Sequence, residues 1–380
     1  MSDTVRMRIP SPRWFRERVE PVPDTASMPV STLELFFDLV FVFTVTRLTH
    51  VLGHDYGAGA LQTILMFGVI WWMYAGYAWL TNAVPARRPL RRVLLLVGMA
   101  GWLTTGLAVP DAFHGSGGWF ALGMAVVVTV HGVMYLQSTR RFLPIFAANL
   151  LSVGALAVAA AVTGPARYAL WAVAVAVMWL SPLVSGQRGF RLHAGHIAER
   201  HGLVVIVALG ESLLAIGLVA ADLPMGGHVV SVAVLGLAIA ASLWWYYFAR
   251  DAEPGETALT GETDQVRRAR KVLGGYFYAH VPILLGIVTM AAAVSASIGH
   301  LTTPLGHGAE YALAAGPALF LLGTVWFRAV MGLPGRPGRI LTAVVLAATV
   351  PLGAVAAGWQ LVAVLAVLTA GLALERPSGR

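Results

Sequence analysis

Long apolar runs alternate along this chain with short hydrophilic patches that hold most of its basic residues. A helix needs about 20 mostly apolar residues to cross the hydrocarbon of a bilayer. Runs of that kind lie near 33–53, 60–82, 92–109, 118–137, 141–162, 166–184, 202–221, 228–249, 272–296, 309–331, 339–355 and 358–374. The pattern predicts an all-α, polytopic membrane bundle of about twelve transmembrane helices. The last two come from one apolar stretch, Ile340 to Ala373, split at Gly353 to Gly358. Left whole it would make a helix about 50 Å long, and one over-long tilted helix is the alternative. Residues 1–32 then form a polar arm, 33–374 a single transmembrane domain and 375–380 a tail. The longest polar connection, 250–271, separates the first eight helices (33–249) from the last four (272–374) without forming a domain of its own.

Composition agrees with the pattern. Charged residues make up 12% and hydrophobic residues 58% of the 380, against roughly 25% charge in a soluble chain. The absence of cysteine excludes a disulfide scaffold, a thiol nucleophile and any cysteine-bound metal. A net charge of +8 invites a nucleic-acid partner until the basic residues are placed. With the N-terminus inside, all 26 except Arg47, Arg167 and Arg328 fall in inner segments, which is the charge bias of membrane topology. Both termini are therefore expected inside, and nucleic acid is set aside. The first 32 residues, with five arginines, Trp14 and Phe15, read as an arm on anionic lipid of the inner leaflet.

A charge within a spanning segment costs at least about 2.5 kcal/mol, so each one is a functional candidate. The first segment holds Glu34 and Asp38, four apart on one helix face, and Arg47, about 13 Å higher on the other side. Glu34 is also placed to cap its helix through Ser31 or Thr32. The seventh segment holds Glu211, within reach of an extended Arg47 if the two helices enter at similar level. Asn149, His131 and His280 come out at comparable depth in the inner half, so five helices are expected to converge there. His280 precedes Pro282, whose missing N–H frees a carbonyl. Asp38 and Glu211 are the proton-handling candidates; Arg47, Asn149, His131, His280, Glu34 and His50 are the binding candidates. The aromatics Trp71, Trp72, Tyr74, Tyr77, Trp79 and Trp244 to Tyr247 read mostly as interfacial belts. The lead-in His193-Ala-Gly-His196-Ile-Ala-Glu199-Arg200-His201 is amphipathic, and its His-x-x-His is a weak zinc signal. No phosphate loop, serine nucleophile motif or pair of aspartate-rich motifs is present, so no metal and no cofactor is expected.

Two of these motifs carry a resemblance. Glu34-Leu-Phe-Phe-Asp38-Leu-Val-Phe-Val-Phe, followed by Leu48-Thr-His50, resembles the opening signature of the bacterial low temperature requirement protein A (LtrA) family. His196-x-x-Glu199-Arg200-x-Gly202-Leu203, running into Ala208-Leu-Gly210-Glu211-Ser212, is similar to its second signature. The resemblance is strongest over residues 31–250. It implies a multi-pass protein of the bacterial inner membrane, in a family named for a cold-growth phenotype and without a settled biochemical activity.

The leading expectation is a proton-linked transporter or channel for a small solute or ion, with a six-plus-six organisation by analogy with known transporters. The alternative is a membrane enzyme using a buried Asp or Glu as general acid on a lipid or isoprenoid substrate. A continuous polar path favours the first; a blind apolar cavity with an acid at its end favours the second.

Overall fold

The computed structural model describes residues 30–83, 88–138, 142–185, 193–306 and 308–375, without the side chains of 83, 138, 183–185 and 211. The basic arm before residue 30 and the tail after 375 lie outside the described residues. The described chain is all-helical. Six helices come first: α1 (Thr32–His54), α2 (Ala58–Ala83), α3 (Pro89–Ala108), α4 (Gly117–Ser138), α5 (Leu143–Ala161) and α6 (Pro165–Ser185). Next come α7 (Ala194–Ala221) and α8 (Gly227–Trp244), which continues through a π-helical stretch, Trp245–Ala252, into α9 (Glu253–Thr260). Then α10 (Gln265–Lys271) runs through a second π stretch, Val272–Tyr278, into α11 (His280–Ser297). The chain closes with α12 (Ala309–Met331), α13 (Arg336–Ala347), α14 (Val350–Gly353) and α15 (Ala357–Leu374). Ten helical stretches among the described residues are long and apolar enough to cross a membrane. The other two expected crossings correspond to α6 and the interrupted pair α13–α14, so the protein is a multi-pass membrane helix bundle.

The interruption has a local cause. Pro351 cannot donate to the Ala347 carbonyl four residues back, and α13 ends at Ala347. The second break, between α14 and α15, is stitched to the α11–α12 connection. There Leu305 N donates to Gly353 O (2.8 Å), Ala357 N to Thr303 O (3.0 Å) and Gly358 N to Leu301 O (2.9 Å). The stretch from Ile340 to Ala373 is thus broken rather than one over-long helix, and backbone groups freed at the bend find partners within the protein.

Helix packing relies on small residues, as it must where apolar side chains gain nothing over lipid. At the contact of α11 and α12, a Cβ on Gly286 would lie 2.6 Å from the Gly316 carbonyl. One on Gly316 would lie 2.5 Å from Met290 N, so the two backbones touch. At the centre of the bundle α2 is buried along much of its length: Trp71, Tyr74 and Tyr77 are each 0% exposed. These three and Tyr246 and Tyr247 are core residues, which corrects the belt reading. An aromatic residue in a spanning helix marks the interface only if it faces outward, as Trp244 and Trp245 do.

Candidate functional site

The site begins where α1 begins. Ser31 Oγ accepts from the Glu34 backbone N–H (3.3 Å), and Glu34 Oε2 accepts from Ser31 N (2.9 Å) and Ser31 Oγ (2.7 Å). This capping box fixes the helix start and uses only one carboxylate oxygen. The other, Oε1, meets His196 Nε2 at 3.1 Å and Arg200 Nη1 at 3.4 Å. One turn on, Asp38 Oδ1 accepts from Arg200 Nη2 at 2.7 Å and from the Tyr74 hydroxyl at 3.1 Å. Arg200 Nη1 also donates to Thr81 Oγ1 of α2. The i, i+4 pair 34/38 on α1 thus faces the i, i+4 pair 196/200 on α7, and α2 closes the third side. Arg200 is 0% exposed, and its guanidinium carbon lies 5.6 Å from the ring centroids of Phe37 and Tyr74.

Hydrogen bonding orients His196. Asn82 Oδ1 accepts from His193 N (3.2 Å), and Asn82 Nδ2 donates to His193 O (3.0 Å), which sets the amide orientation. The same Nδ2 lies 3.3 Å from His196 Nδ1. Nδ1 is thereby placed to accept from Asn82 and Nε2 to donate to Glu34. Both Glu34 oxygens have donors, whereas Asp38 Oδ2 is buried with no hydrogen-bond partner among the described residues.

A second group lies beside Trp71. His280 Nδ1 donates to Gly275 O at 2.9 Å, and its Nε2 accepts from the Tyr247 hydroxyl at 2.8 Å. His201 donates to Ile197 O at 2.8 Å and stands 5.1 Å from the His280 ring. The two π stretches supply Tyr247 and Gly275, and such stretches frequently mark functional positions. The carbonyl of Phe277, five residues before Pro282, is taken by Trp71 Nε1 at 3.0 Å.

The third group is a cavity of about 100 Å³ between α2, α4, α5, α6 and the second π stretch. His131 and Asn149 line it. The convergence expected from depth therefore resolves into three neighbouring groups arrayed along α2. Tyr74 serves the first, Trp71 the second, and Trp72 the third through its indole N–H, 2.9 Å from Asn149 Oδ1.

Other expected members stand apart. Glu199 is exposed and accepts from Val30 N at 3.2 Å, and His50 is exposed near the end of α1. Arg47 is half-buried, and its Nε has no hydrogen-bond partner among the described residues. Glu211 belongs to α7, but its side chain lies outside the described residues, and so does the expected pairing with Arg47.

Sequence reasoning missed Tyr74, Thr81 and Asn82, which a search for polar groups on the aromatic face of the second segment would have found. It also missed a buried charge cluster far along the chain. There Arg339 pairs with Asp251 and Glu375, and Arg328 Nη1 lies 3.3 Å from each of those carboxylates. Two acids face two arginines, a balanced set that ties α12, α13 and the end of α15 to the first π stretch.

Comparison with known proteins agrees with the motifs. The model of the bacterial low temperature requirement A protein family matches residues 29–374. A protein of Rhizobium meliloti (strain 1021), described only as uncharacterized, is 28% identical over 336 residues, covering 83% of this chain and 80% of its own. No solved structure matches. The family match takes in every helix and both ends of the Glu34–Arg200 site, and the chain belongs to the bacterial low temperature requirement A (LtrA) family.

Proposed function

We propose that this protein is a proton-linked transporter of a small solute in the bacterial inner membrane, with Asp38 the group that takes up and releases the proton. The observation that carries this is the arrangement around Arg200: two carboxylates share its single guanidinium, while the His196 imidazole meets only Glu34. As carboxylates, Glu34 and Asp38 leave one negative charge unmatched by the arginine, which costs several kcal/mol in a low-dielectric interior. One added proton removes it. Arg200 is already fully protonated. His196 Nδ1 is occupied by the Asn82 amide, and both Glu34 oxygens accept donors. Asp38 Oδ2 is the open position. A proton held there can leave when a cation or a rearranged Arg200 takes its place, which is the exchange that coupled transport requires.

The general-acid alternative is less well supported, because no lining residue of the described cavity is an Asp or Glu. The basic arm is assigned to anionic lipid of the inner leaflet, where its arginines hold the N-terminus inside.

The test is accumulation. Proteoliposomes holding the purified protein, with an imposed inward proton gradient, are given a metabolite extract, and their contents are read by mass spectrometry. At least one component should accumulate, collapse with a protonophore, and fail to accumulate with Asp38→Asn at equal protein content. If nothing accumulates, or accumulation ignores both the gradient and Asp38, the reading is wrong.

A further inference from the structure

The cavity between α2, α4, α5 and α6 has a chemistry of its own. His131 is 2% and Asn149 1% exposed, so both are more than nine-tenths buried. His131 meets the backbone of Gly76 without a hydrogen bond of full geometry, and Asn149 Nδ2 has no partner among the described residues. An indole N–H only donates, so the Trp72 bond fixes the amide with Oδ1 occupied and Nδ2 open. Buried polar atoms ordinarily have partners. Here the two residues that carry these atoms, His131 and Asn149, line one space.

The rest of the lining says what that space takes. Its walls include the aromatic rings of Trp72, Trp79, Tyr135, Phe142 and Phe277, and no lining residue is Asp, Glu, Lys or Arg. An ion would lose its hydration without meeting a counter-charge. At about 100 Å³ and only partly enclosed, the cavity is somewhat smaller than the roughly 150 Å³ apolar cavity that accepts benzene. That scale admits at most one small ring, with the rest of a ligand in the open side of the cavity. Neutral imidazole offers one acceptor nitrogen and one N–H, and Asn149 Nδ2 offers N–H groups alone. Room for His131 is itself built in, since a Cβ on Gly76 would lie 2.9 Å from His131 Nε2.

We infer that this cavity binds an uncharged single-ring aromatic molecule bearing a polar substituent, with a carbonyl-type acceptor on Asn149 Nδ2 and a donor on His131. Stacking on the aromatic walls holds the ring, and the two polar residues select the substituent. Only the further step, that such a molecule is the transported solute, rests on the proton-linked reading.

Benzamide is the probe, because it has both a carbonyl acceptor and N–H donors on one ring. Calorimetry on the purified protein in detergent should find benzamide binding at least tenfold tighter than toluene, which lacks the polar group, or benzoate, which is charged. Asn149→Leu and His131→Phe should each weaken benzamide about threefold to tenfold, the range for one lost neutral hydrogen bond, and leave toluene unchanged. The three-ligand comparison on the native protein needs no variant and stands if either substitution prevents folding. Benzamide binding no tighter than toluene, or unchanged in both folded variants, overturns the site. Asp38→Asn should bind benzamide normally while failing in the accumulation assay. Normal benzamide binding with no proton-linked accumulation in any protein would instead defeat the transport reading and leave the site standing.

Discussion

Arg200 holds the largest number of partners in the cluster, touching Glu34, Asp38 and Thr81 and lying beside Phe37 and Tyr74. Removing it strands two carboxylates, so Arg200→Met should cost about 3–5 kcal/mol, read as a large fall in thermal stability. Arg200→Lys keeps the charge but not two separate N–H arms, and should fall between the native protein and the methionine variant. Equal stability of all three would mean that the cluster contributes nothing to the fold. Asp38→Asn should behave differently, leaving stability unchanged or raised, because the amide stands in for a protonated carboxyl. At this scale the sequence was legible where charge met hydrocarbon. Glu34 and Asp38 stand out on cost alone and the capping box on its spacing, whereas Arg200 is counted with the inner segments and stands out only through the lead-in motif. Tyr74 and Asn82 did not stand out, since an aromatic and an amide in a spanning helix carry no charge penalty. Their role depends on which neighbour they face.

Among the elements, the connection at 261–264 between α9 and α10 shows how exposed charge shapes a turn. Glu262 accepts from Arg267 Nε at 3.0 Å, from Asp264 N at 3.3 Å, and sits 3.4 Å from Lys271 Nζ. The Arg267 hydrogen bond, helped by Asp264 and Lys271, holds its carboxyl below the ordinary range. A depressed carboxyl contributes order above its unfolded-state value and loses it as pH falls through the folded one. The protection factors of the α10 backbone amides, corrected for the intrinsic slowing of exchange in acid, should therefore fall on acidification in the native protein, and Glu262→Gln should abolish that fall. An unchanged pH response in the variant would assign the effect elsewhere. Helix positions were largely readable from apolar run length, including the split of the final stretch. The two π stretches were not, because an added residue per turn leaves hydrophobicity unaltered and follows from packing around Tyr247, Gly275 and Tyr276.

For the whole molecule, the distribution of arginines predicts that both termini and the 251–271 connection face the cytoplasm. The chain has no cysteine, so single introduced ones report cleanly. A cysteine replacing the exposed Gly118 should react with an impermeant maleimide on intact cells, and one replacing Gly261 only after permeabilisation; the reverse result would invert the topology. Two buried charge clusters stand in this frame. In direct contacts the Asp251–Arg339 set has two acids to two arginines and the Glu34–Arg200 set two acids to one arginine, a contrast invisible to composition because it requires knowing which helices meet. That excess acid is the centre of the account. Its most direct test is infrared difference spectroscopy of the purified protein between acid and alkaline media, comparing the native chain with Asp38→Asn. A carbonyl stretch of a protonated carboxyl, present in the native protein and missing from the variant, is the predicted result. Identical spectra for the two proteins would show that Asp38 holds no exchangeable proton, and would contradict it.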